Sequence, residues 1–264
     1  MARGHSRTWQ RSAGHGRNSR TQQAFRDLAI ALAQRGIATV RYDKRTKVYA
    51  QRTAEVSKGI LNYDTETVDD ALQALRQAAR LPQIDTDRIY VLGHSMGGTS
   101  CLVSPCVPNS KLPVDRNGSC RSSVRRNALR PSKYLSIHAG LSADSAAVRA
   151  RSFVKQMTDV FPPEYKAMQK SYDPLQAVKK LKNKPMLFLQ GTHDYQVTEA
   201  DLELWRQAVS NNPHVQMVLL TGLDHLMREL PAMATPDDYA QPSEMDKSVI
   251  DMIAHFVHTK GKNS

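Results

Sequence analysis

A mostly apolar run that ends in a glycine-flanked serine constrains this chain more than any other feature. Arg88-Ile89-Tyr90-Val91-Leu92-Gly93 has the near-continuous apolar pattern of a strand buried on both faces. It runs into Gly93-His94-Ser95-Met96-Gly97-Gly98, a Gly-x-Ser-x-Gly pentapeptide with a second glycine behind it. A serine on such a sharp strand-to-helix turn is held in strained backbone geometry with its hydroxyl exposed. The flanking glycines are expected there because side chains would collide with the turn or the next helix. The N–H of Met96 is then expected to face the oxyanion of an acyl-transfer reaction.

The rest of the chain supplies a frame for this turn. Phe25, Leu28, Ala29, Leu32 and Ala33 recur at helical spacing ahead of Gly36. Residues 37–42 then read as a strand. Residues 65–80 form a second helical pattern, with acids early and arginines late as the helix dipole favours. Further helices are expected over 142–157, 162–170, 174–181, 198–209 and 243–257, and further strands over 185–190 and 214–220. Residues 99–133 show no confident element. Strands alternating with helices specify an α/β chain with a parallel sheet covered on both faces, whose ligands sit beyond the carboxyl ends of the strands.

A serine hydroxyl is a weak nucleophile at neutral pH and needs a base, itself oriented by an acid. For this turn the chain order is serine, acid, histidine. Asp194 follows the strand at 185–190, in Gly191-Thr192-His193-Asp194. His225 follows the strand at 214–220, in Gly222-Leu223-Asp224-His225. A loop aspartate is usually a cap, and a single histidine is usually surface or satisfied core. Three such residues in order, each after a strand, designate Ser95 as nucleophile, Asp194 as orienting acid and His225 as base. His193 adjoins the acid and Asp224 adjoins the base; both are expected to be structural. Lys44, Arg45 and Lys47 could reach a substrate carboxylate, but a solvated basic loop is the favoured assignment.

The net charge of +12 raises the question of nucleic acid. Residues 1–26 hold six arginines and no acid, and residues 99–133 hold seven basic residues against Asp115. The excess therefore lies in two stretches of poor periodicity rather than on a folded face, which argues against nucleic-acid binding. Cys101, Cys106 and Cys120 lack metal or disulfide spacing, and nothing signals a cofactor or a metal site. No apolar run is long enough to span a membrane, and the first residues lack a signal-peptide core, so the chain as written is expected to be cytoplasmic. Residues 1–26 are expected to be disordered.

Together these residues resemble the α/β-hydrolase superfamily, and within it the dienelactone-hydrolase and prolyl-oligopeptidase-like branch. The resemblance is carried by Asp27-Leu28-Ala29 through Gly36-Ile37-Ala38, by Arg41 to Thr46, and by Gly93 to Gly98. It continues in Tyr172-Asp173-Pro174, Gln190-Gly191 with Asp194 to Val197, and Gly222 with His225. It implies an α/β-hydrolase domain over 27–260, with a mostly parallel sheet flanked by helices and a small helical cap at 141–182. The implied chemistry is hydrolysis of a small-molecule ester, thioester or amide through a serine acyl-enzyme. A carboxylesterase is the first expectation, and a catalytically impaired form the alternative. Two departures stand out. The family's strand and His-Gly-rich loop, which complete the oxyanion hole, have no match in 1–26 beyond His15-Gly16. Nor do residues 99–133 supply the helix and strand expected after the serine turn. A missing second oxyanion donor costs about 2.7–4 kcal/mol of transition-state stabilisation.

Overall fold

The computed structural model describes residues 20–49, 52, 55, 62, 64–95, 97–98, 124–171, 173–181, 184–241 and 243–260. In chain order the elements are α1 (Arg20–Gln34), the short α2 (Arg45–Val48) and a π-helical turn (Asp64–Val68) that continues into α3 (Asp69–Ala78). Then come α4 (Val124–His138), α5 (Ala143–Asp159), α6 (Pro163–Ser171) and α7 (Pro174–Lys179). Last are β1 (Met186–Gly191), α8 (Glu199–Ala208), β2 (Val215–Leu220) and α9 (Lys247–Lys260).

β1 and β2 pair in parallel, Met186 opposite Val215 through Gly191 opposite Leu220. Parallel neighbours need a crossover, and α8 provides it. Thr198 starts α8 with a capping box: Asp201 accepts from the Thr198 N–H at 2.9 Å. Alternate residues of a strand face opposite sides, and the sheet uses both. Phe188 meets Trp205 of α8, ring centroids 5.6 Å apart. Leu189 and Val218 pack instead with Leu220, Leu223 and Val249 of α9. The sheet is thus covered on both faces.

α9 is the hub of the described core. Its Ile250 and Ala254 bury Leu28 and Leu32 of α1, side chains whose removal from water contributes about 1.5–3 kcal/mol each for the larger ones. Arg35 ties the end of α1 to Asp251 of α9 at 2.6 Å. The segment leading to the serine turn lies on the same helix. Arg88 donates to the Val257 carbonyl at 3.3 Å, and Tyr90 meets Phe256 edge-on. A second cluster, Val68 and Tyr165 with Leu72 and Phe161, docks α6 onto the start of α3.

Three sequence expectations are corrected. Residues 37–42 and 88–93 join no strand ladder; a parallel strand exists only through its neighbours, and none of the described residues pairs with them. Val40 and Leu92 are accordingly half exposed, at 53% and 50%. The first helix begins at Arg20, inside the basic stretch, rather than at Phe25. Helix α4 occupies 124–138, where the pattern showed no confident element, and carries Pro131 within it. It folds back on α5 through Gly140, whose φ of +88° permits the reversal. The other elements fall where expected, within a few residues at their ends. Among the described residues no helix is long and apolar enough to cross a membrane.

Candidate active site

The loop after β1 is organised around a buried carboxylate. Asp194 Oδ1 accepts from the main-chain N–H groups of Gln196 at 2.7 Å and Val197 at 3.0 Å. Gln190, the one polar side chain late in β1, is buried and donates to the Gly191 and Val197 carbonyls. The loop is therefore clamped at both ends, and Asp194 Oδ2 is left to face a partner.

That partner comes from the loop after β2. His225 Nδ1–H donates to Asp194 Oδ2 at 2.6 Å, and both side chains are buried, at 8% and 4% exposure. An acceptor-only carboxylate selects the Nδ1–H tautomer and leaves Nε2 with a lone pair to take a proton. The two loops meet because Gly191 has no side chain. A Cβ there would sit 2.1 Å from the Leu223 carbonyl oxygen. Gly191→Ala should therefore displace the His225 loop. The expected result is a destabilisation of about 1–3 kcal/mol by thermal melting, accompanied by loss of the Asp194–His225 contact in a structure of the variant.

Ser95 lies on a turn beside this pair. Its φ is +56°, the left-handed region that non-glycine residues rarely occupy. It is exposed, and two tight turns follow it, with Gly97 N–H donating to the His94 carbonyl and Gly98 N–H to the Ser95 carbonyl. The preceding residue, His94, touches His225. Its ring lies 4.5 Å from that of His225, and its Nε2–H donates to the His225 carbonyl at 2.6 Å. Ser95 is thus one residue from a ring in contact with His225. Met96, the expected oxyanion donor, lies outside the described residues. Among the described residues, Gly97 and Gly98 do not show the expected crowding. A Cβ on Gly97 would meet none of the described residues within 4 Å, and one on Gly98 would be 3.6 Å from the Gly93 carbonyl.

Residues 4–241 match the Alpha/beta hydrolase family. The chain belongs to that family. The two-faced parallel sheet and the loops beyond its carboxyl ends are parts of the α/β-hydrolase fold. The chain is also 29% identical to Esterase EstD of Thermotoga maritima over 239 residues, which is 88% of this chain and 56% of the relative. It therefore spans about half the length of that curated relative.

Around the histidine of this α/β hydrolase, the structure adds one residue that sequence patterning missed, Arg228. Asp224 is fully buried and paired with Arg228 at 2.6 Å. Its other oxygen accepts from the N–H groups of Leu226 and Arg228. Arg228 also donates to the Asp238 and Gln241 carbonyls, and its guanidinium lies 5.2 Å from the centre of the Tyr239 ring. Asp224 is thus structural, as expected, and it stiffens the turn that carries His225. Truncating Arg228 leaves a buried carboxylate uncompensated, so Arg228→Ala should cost about 3–5 kcal/mol in a denaturant melt. The signal available in the sequence was the i, i+4 spacing of Asp224 and Arg228.

His193 is structural too. Its Nδ1–H donates to the Leu230 carbonyl at 2.9 Å, and its carbonyl accepts from the Ala234 N–H. The basic loop is neutralised internally: Lys44 by Glu66, Arg45 by Asp70 and Lys47 by Asp43. Those three cations are already engaged by protein carboxylates.

Proposed function

We propose that this chain is a serine hydrolase of the carboxylesterase type, acting on a small or medium-sized ester. Ser95 Oγ attacks the acyl carbon while His225 Nε2 takes its proton. His225 then returns that proton to the leaving alcohol, and an acyl group remains on Ser95. Water activated by the same histidine hydrolyses the acyl-enzyme. Asp194 holds the imidazole in the Nδ1–H tautomer throughout. The observation that carries this proposal is the buried 2.6 Å Asp194–His225 pair with the His94–Ser95 turn packed against it. The esterase relative supports the ester over a thioester or amide, which would form the same acyl-enzyme. In this proposal α5 to α7 form the helical cap at 141–182, within a hydrolase domain of 27–260. The dienelactone-hydrolase and prolyl-oligopeptidase-like motifs give the nearest branch.

The test is labelling of folded protein with a fluorophosphonate probe, beside matched ester, thioester and anilide substrates. Labelling with turnover fastest on the esters is the expected result. Folded protein that does not label would mean that the three residues are present without a working site.

A further inference from the structure

His94 is a half-buried imidazole that the proposed reaction does not use. Its ring is held on two sides. Phe25 of α1 meets it edge-on at 5.4 Å, and His225 lies against it at 4.5 Å. Its Nε2 lies 2.6 Å from the main-chain oxygen of His225. A carbonyl oxygen can only accept, so this nitrogen carries the proton.

We infer that His94 is a positioning residue for the base, its Nε2–H anchoring the His225 carbonyl and so fixing where the His225 imidazole stands relative to Ser95. The inference rests on the assignment of His225 as base. The anchor joins two parts of the chain that no strand ladder connects among the described residues, the serine turn and the loop after β2. A hydrogen bond one residue away from the nucleophile links its position to that of the base directly. Small displacements of a reacting group are costly, because the nucleophile and base must lie within hydrogen-bond reach. The anchor also needs an uncharged ring. Burial holds the His94 imidazole below its ordinary value, and the neighbouring His225 acts in the same direction. Among the described residues, the charged and titratable groups near it are His225, Asp194 and Asp224 of the two loops. From α1 its ring neighbour is the uncharged Phe25. A neutral His94 therefore sets no second cation against the imidazolium that forms on His225.

Two variants of the full chain separate the donor from the bulk. His94→Phe keeps a ring and removes the donor; His94→Gln keeps a donor and removes the ring. In His94→Phe, kcat and the rate of fluorophosphonate labelling should fall about 10²-fold with KM little changed. His94→Gln should recover most of the rate. Equal rates in His94→Phe and the parent, or a His94→Gln variant as slow as His94→Phe, would overturn the inference. Proton NMR gives a readout that needs no turnover. The His225 Nδ1–H resonance, deshielded by its short bond to Asp194, should be displaced or lost in His94→Phe. An unchanged resonance would overturn the inference even if the parent never labels. That last behaviour of the parent would instead count against the hydrolase proposal.

Discussion

Ser95→Ala should remove ester hydrolysis by a factor on the order of 10⁶ and abolish fluorophosphonate labelling. The oxygen is the only atom deleted, and the side chain is exposed, so the fold has no packing to lose. Circular dichroism and melting temperature should match the parent. Ser95→Gly sharpens the test. Ser95 has a φ of +56°, where an L side chain is strained and glycine is not. The glycine variant should therefore be as inactive as the alanine variant yet melt higher. Labelling that persists in Ser95→Ala would move the nucleophile elsewhere and end the present proposal.

Asp194→Asn should lower kcat by about 10⁴-fold while leaving KM nearly unchanged. The amide can still accept from the Gln196 and Val197 N–H groups through its oxygen. Its NH₂ group then faces His225, where a donor meets a donor unless the imidazole changes tautomer. The ring would place its proton on Nε2, the nitrogen that has to accept from Ser95. The damage is thus confined to the protonation state of the base, and melting should show little change. A loss below tenfold, measured as steady-state kcat, would mean that Asp194 does not orient the base.

Much of the candidate site was legible because the residues proposed for its chemistry follow strand ends. β1 and β2 announce themselves as short apolar runs closed by Gly191 and Gly222, and Asp194 and His225 sit just past them. Apolar pattern reports burial, however, and not the neighbour that provides it. Residues 37–42 and 88–93 have the composition of buried strands without a ladder to join. Helix α4 was hidden for a different reason. Pro131 and a crowd of arginines break its apolar stripe, yet Arg130 is bound to Asp201 and Thr198 at the start of α8. Gln190, Arg228 and His94 escaped because each is a polar residue held, buried or half-buried, by partners that the local pattern does not show. Periodicity registers their polarity and has no access to those partners.

Asp194 and His225 follow paired strands, whereas Ser95 follows a segment that, among the described residues, is held to α9 by one arginine bond and one aromatic contact and to the His225 loop through His94. These two arms of the site differ in how readily they open. Local openings draw first on segments with few main-chain hydrogen bonds and half-exposed apolar side chains, and Leu92 beside the turn is one of these. Gentle warming would separate Ser95 from a still-assembled Asp194–His225 pair. In the proposed hydrolase, activity would fade below the cooperative melt and return on cooling, with the turn and not the sheet setting the upper working temperature.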